Sequence, residues 1–354
     1  MKLHIALLTI LFFSGGGCKN EKQEVIACND SILSGSTNFH TFILSLPDYV
    51  VTGLTKNPDA SGALGRNLDG YFHVRFQMDI GFLASYAVYT QSDDALAKFI
   101  LAAEYSFNKQ KPTGDFELVI PSNLQYLGTP SEGDLTSGVA FFTSAVGSSL
   151  VLLNQSSWFI NRPNDALAQR LANLKNKFQL TVNYLIAQKE VLKMYDKAAP
   201  NRLFFDALAF YSMGTYLNDS KAKDIGIDFI ELALAQQDAA GFFIEGGGFD
   251  SSYNGVSLRL GMVLLGILKP QDDLYLRLKK AISCSVHWQA TRILESGEIS
   301  QQGNTRVYPG GESFLGSEKQ IAWIETLLSF YFTYSSSSNE TYKALAKKVE
   351  TFYK

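Results

Sequence analysis

With 354 residues, 46% apolar and 13% aromatic, the chain can bury a core large enough for one big domain or two smaller ones, and it is too rich in Phe and Tyr for a disordered protein. A net charge of −3 and the lack of any Lys- or Arg-rich run exclude attraction to nucleic acid or an anionic membrane through bulk charge. Neither Cys-x-x-Cys nor His-x-x-x-His occurs, so a structural zinc site is not expected.

Met1-Lys2 is followed by an apolar run over residues 5–13 and then by Ser14-Gly15-Gly16-Gly17-Cys18. A basic start, a short apolar stretch and small residues read as a secretory signal, too short to span a bilayer as a helix. A cysteine directly after small residues resembles a bacterial lipoprotein signal, with Cys18 lipidated; the departure is Gly15, where an aliphatic residue is usual. The expected mature protein lies in the cell envelope outside the cytoplasm and meets the membrane only through the lipid. Residues 19–37 read as a tether and 38–354 as one domain. Cys28 and Cys284 could form a bridge in an oxidising compartment.

From there the pattern is helical. Residues 80–89 and 95–107 form a pair joined at Gln91-Ser92-Asp93-Asp94, a capping stretch, and 135–153 reads as a helix buried all round. Residues 165–194 give a long amphipathic helix that could break near Gln179. Asn201 is expected to cap a helix through Leu217, and Asp219 or Ser220 the next. Asp250 or Ser251 caps a helix with an apolar run over 256–267, which pairs with 274–293. Ser317 and Gln320 suggest a capping box before 321–332, and Asn339 starts a last helix. About ten helices in antiparallel hairpins are expected, an all-α chain with few strands.

Gly70-Tyr71-Phe72-His73, Gly114-Asp115-Phe116-Glu117, Gly241-Phe242-Phe243-Ile244 and Gly297-Glu298-Ile299 share a form: glycine, an aromatic or Ile, polar loop residues, then a new helix. Equivalent loops on one rim of a ring of hairpins suggest an (α/α) toroid rather than an open solenoid. The fullest loop, Gly-Phe-Phe-Ile-Glu-Gly-Gly-Gly-Phe-Asp-Ser-Ser-Tyr from Gly241 to Tyr253, resembles the inner-rim loops of the six-hairpin toroid carbohydrate-active enzymes, which include polysaccharide lyases and glycoside hydrolases. The resemblance covers roughly residues 65–354 as architecture. The Asn-Asn-His motif of alginate lyases with this fold is absent.

The resemblance implies a carbohydrate polymer or oligosaccharide as substrate or ligand. The leading expectation is a lyase-like site in which Arg306 and Asn304 would hold a uronate carboxylate, with Tyr253, Tyr308 or His287 as base or acid. In a hydrolase, Glu245 and Asp250, or one of them with Glu312, would be the acid and base. Phe249 and Tyr308 are candidates for stacking on sugar rings, and Asp206, a carboxylate among apolar neighbours, is a modest further candidate. A staple of Arg306 to Glu312 or Glu245, and a structural role for His287 or His73, are the plainer alternatives. A glycan-binding or structural envelope lipoprotein remains open. Nothing in the chain implies a cofactor, and no loop spacing supports calcium.

Overall fold

The computed structural model describes residues 32–33, 38–162, 165–314 and 316–354, which are mostly helical. The signal and Cys18 lie outside the described residues, as does most of the tether. One tether residue is part of the fold: Leu33 is buried, and its N–H donates to Ser283 Oγ at 3.4 Å.

Two short helices, α1 (Phe39–Ser45) and α2 (Asp48–Leu54), come first, followed by the pair α3 (Ile80–Thr90) and α4 (Asp93–Phe107). The long helix α5 (Glu132–Gln155) leads through α6 (Ser157–Ile160) to α7 (Ala166–Asn173), α8 (Lys175–Ala187) and α9 (Lys189–Asp196). Next come α10 (Pro200–Leu217), α11 (Ser220–Leu234), α12 (Ser251–Leu265) and α13 (Asp273–Thr291). A two-stranded hairpin, β1 (Ser313–Phe314) and β2 (Ser317–Glu318), precedes α14 (Trp323–Ser337) and α15 (Glu340–Tyr353).

α5 is long and apolar enough to cross a membrane, but 89% of its most apolar window is buried inside the protein. It is therefore a core helix, packed on α3 and α10. Along the chain α3 packs on α4, α10 on α11, α12 on α13 and α14 on α15. Laterally the contacts run from α3 to α5, α10, α12 and α14, and α1 touches α3, α5 and α14.

Three of the pairs turn through the same two-residue device. A left-handed residue (Gln91, Asn218 or Ser338) ends one helix, and the next residue (Ser92, Asp219 or Asn339) caps the following one with its side chain. Three local expectations are corrected. Asn201 does not cap α10: Ala199 holds that position, and Pro200 at the first turn needs no N–H partner. Ser317 lies in β2, so no capping box forms before α14. The 165–194 helix breaks twice, at Leu174 and Gln188, and not at Gln179.

The glycine repeat is real but shifted at its first member. Gly114, Gly241 and Gly297 have φ of +94°, +101° and +93°, and each closes a bridged loop (Gln110 with Phe116, Gln237 with Phe243, Ile293 with Ile299). A Cβ on Gly241 would lie 2.7 Å from the Cys284 carbonyl oxygen; on Gly114 and Gly297 it would collide with the carbonyls of Leu180 and Lys348. Each loop thus leans on the backbone of a later helix: α8, α13 and α15 respectively for Gly114, Gly241 and Gly297. The fourth equivalent is Gly62, not Gly70. Gly62 has φ +98°, its N–H donates to Asp59 O, and its Cβ would meet Leu101 O on α4, whereas Gly70 faces open space.

Candidate functional site

The loops before α3, α10, α12 and α14 and the first turn of α5 bring charged side chains together at one end of these helices. Loops 241–250 and 295–319, each rich in polar residues, do meet: Thr305 N–H donates to Phe249 O at 3.0 Å, and its hydroxyl to Glu245 O at 2.7 Å.

Asp250 is the knot between them. Its Oδ1 caps α12 by accepting from Ser252 and Tyr253 N–H, and its Oδ2 accepts from Arg306 N–H at 3.0 Å and Val307 N–H at 2.8 Å. Fully buried and holding four backbone donors, it is a scaffold and not an acid or base. Asn304 is corrected in the same way. Its Oδ1 accepts from Ser251 N–H and Oγ, and its Nδ2 donates to Val307 O at 2.8 Å, so its first task is to tie the loop to α12, with one amide N–H left over.

Above this knot lies an ion-pair network. The Arg306 guanidinium binds Glu245 through Nη1 and Glu312 through Nη2, the latter at 2.9 Å. Tyr253 OH donates to Glu312 Oε2 at 2.8 Å and contacts Lys319 Nζ, which itself lies 3.1 Å from Glu312. Arg306 and Lys319 both sit over the Tyr253 ring, at 4.4 and 4.8 Å from its centroid. The plainer staple reading of Arg306 is therefore present in the structure, although a quarter of its side chain stays exposed (26%) beside Glu312 (24%) and Lys319 (25%).

Burial drives the Glu245 pKa up to about 7, against the pull of Arg306. At Glu312 partial burial also opposes ionisation, but the Tyr253 hydrogen bond and the Lys319 and Arg306 charges outweigh it, and the pKa falls. Burial pushes the Tyr253 phenol up and the Lys319 ammonium down.

A second charged group adjoins the first and is missing from the sequence-based candidates, Asp206 excepted. Arg75, preceding α3, pairs with Asp134 of α5 at 3.3 Å and lies over Phe141. Arg202 of α10 holds Asp196 at 3.1 Å. Asp196 and Asp206 are both fully buried, and burial plus the Asp196 carboxylate hold Asp206 well above the usual range. His73 is buried against Gly138 and accepts from Arg75 N–H through Nδ1; burial lowers its pKa to about 4, so it stays neutral. The available signal was Arg202 and Asp206 set into an otherwise apolar helix.

The remaining candidates lie elsewhere. His287 is on α13, which packs outside α12, and makes no hydrogen bond to the site residues. Phe249 is no open stacking platform: Phe242 and Trp288 surround it at 5.7 and 5.4 Å, with Arg292 over its ring. Tyr308 is 43% exposed at the edge of a shallow groove with Gln301, Asn304 and Pro309. Cys284 is disulfide-bonded. A largely apolar cavity lies away from the charged network, between α1 and the flanking helices. Comparison of the chain with protein-family models, curated proteins and solved structures finds no match.

Proposed function

We propose that the chain is an exported, Cys18-anchored lipoprotein whose hairpins close into an (α/α) toroid, and that it cleaves carbohydrate chains with Glu245 as general acid and Glu312 as its ionised partner. The toroid is supported by the lateral order α3, α5, α10, α12, α14, with α1 between α14 and α3, and by the four glycine loops that each lean on a later helix. Export is supported by the N-terminal pattern and by a disulfide, which persists in oxidising compartments.

The observation that carries the catalytic reading is the pair of carboxylates on Arg306 whose pKa values are pushed in opposite directions. Such divergence assigns the acid to the raised group and the nucleophile or base to the lowered one. Glu245 then protonates the departing glycosidic oxygen. Glu312 either attacks the anomeric carbon or takes a proton from the attacking water. A saccharide carboxylate competing for Arg306 frees Glu245 for this work, and Arg75, Arg306 and Lys319 favour an acidic sugar. A lyase route has one supporting contact, Lys319 with its lowered pKa against the Tyr253 hydroxyl.

The test is incubation of the purified protein with neutral and uronate glycans, following reducing ends and absorbance near 232 nm. New reducing ends lost in Glu245→Gln support the hydrolase. A 232 nm product lost in Lys319→Ala supports the lyase. Saccharide binding without turnover points to a binding lipoprotein.

A further inference from the structure

The cavity of about 120 Å³ lies between α1 and the helices α3, α5, α10, α12 and α14. Its wall is apolar, with Phe42 and Leu46 from α1, Phe82 from α3, Phe205 from α10, Val263 from α12 and Leu328 from α14. The four serines that also line it do not make it wet. Ser85, Ser144, Ser148 and Ser149 each donate to a carbonyl of their own helix at 2.6 to 2.9 Å, so their protons are already used. The polar exceptions are Arg259 and Glu325, which pair with each other, and Asp79, which pairs with Lys56.

Water in the apolar part of this space lacks the two to four polar partners it needs, and an empty cavity forfeits packing. The space matches roughly one aromatic ring, or about six carbons of an aliphatic chain, by comparison with cavities that hold benzene. A chain fits better than a ring. The wall follows successive turns of single helices, as at Ser144 and Ser148, and the cavity reaches the surface at Met78, which is 37% exposed beside Asp79.

We propose that this cavity binds the end of an acyl chain, which enters past Met78 and leaves the rest of the lipid outside. The site is separate from the charged network and does not depend on the activity proposed there.

The experiment is titration of the full-length chain, in detergent-free buffer, with cis-parinaric acid, a fatty acid that fluoresces when its polyene leaves water. Wild type gives a saturable rise at one equivalent. Ser148→Phe, which fills the cavity, and Met78→Trp, which blocks the surface opening, each weaken binding at least tenfold (about 1.4 kcal/mol), with circular dichroism unchanged. If Ser148→Phe fails to fold, Met78→Trp, on the surface, decides alone. No saturable signal from wild type, or equal affinity in wild type and Met78→Trp, overturns the proposal.

Discussion

Glu245 and Glu312 occupy opposite ends of the Arg306 guanidinium, yet one is driven toward its neutral form and the other toward its charged form. The difference is solvent. Glu245 is 2% exposed, so desolvation outweighs its ion pair, while Glu312 keeps 24% of its side chain in water and gains Tyr253 and Lys319 as partners. Replacing each by glutamine separates the roles without opening a hole. Both Glu245→Gln and Glu312→Gln should lower kcat by about 10² to 10⁴ with a small change in KM, the scale of a lost acid or base. Steady-state rates on the cleaved glycan measure this, and full activity in either variant removes that residue from the chemistry.

The raised pKa of Glu245 also fixes a stability trend. Its folded-state value of about 7 lies above the usual carboxylate value of 4.5, so the folded protein holds a proton there that the unfolded chain releases. The associated stability is complete below pH 4.5 and is lost as pH rises through 7. Relative to Glu245→Gln, wild type should lose roughly 2 to 3 kcal/mol across that window. Urea unfolding of both proteins at pH 4.5, 6 and 8 reads it, and parallel curves would show that Glu245 stays ionised throughout.

Asp250 should behave differently from Glu245. Asp250→Ala leaves four backbone N–H groups without an acceptor and separates the two loops, at a cost of about 3 kcal/mol or more. The expected signature is a large drop in urea midpoint together with lost activity. A variant that lost activity at unchanged stability would return Asp250 to the catalytic group.

The glycine loops allow a paired comparison. Gly241 and Gly247 both have positive φ, +101° and +87°, but only Gly241 has a carbonyl where a Cβ would go. Gly247→Ala should cost about 1 kcal/mol, from backbone strain alone, and Gly241→Ala about 3 kcal/mol because α13 must also move. Thermal unfolding ranks them, and equal losses would mean that the loop does not bear on α13.

Cys284 should titrate as oxidised. Under denaturing, non-reducing conditions the envelope-extracted protein should show no thiol at Cys284, and reduction should lower stability by about 2 to 4 kcal/mol. A free Cys284 thiol in that material would count against export.

Contributions that depend on near neighbours are readable in the sequence: the caps at Ser92, Asp219, Asp250 and Asn339, the buried run of α5, and the glycine loops at 114, 241 and 297. Contributions set by distant neighbours are not. Asn304 reads as a carboxylate ligand until Ser251, 53 residues away, and the Val307 carbonyl enlist its oxygen and one of its N–H groups in joining the two loops. Arg75 and Lys319 look like ordinary surface cations until the fold sets them against Asp134 and Tyr253. Gly70 stands before aromatic residues as Gly241 does, but it is Gly62 that the fold sets against the α4 backbone, a close approach that composition does not register.

The loop that opens with Gly297 rests on α15, where Tyr353 OH accepts from Ile299 N–H at 3.1 Å. That same loop carries Asn304, Arg306 and Glu312. On a ribosome these residues emerge before the helix that braces them, so a nascent chain stalled ahead of residue 339 holds every charged member of the network without its last support. Such a chain would lack both the Lys348 carbonyl against which Gly297 lies and the Tyr353 hydroxyl that accepts from Ile299.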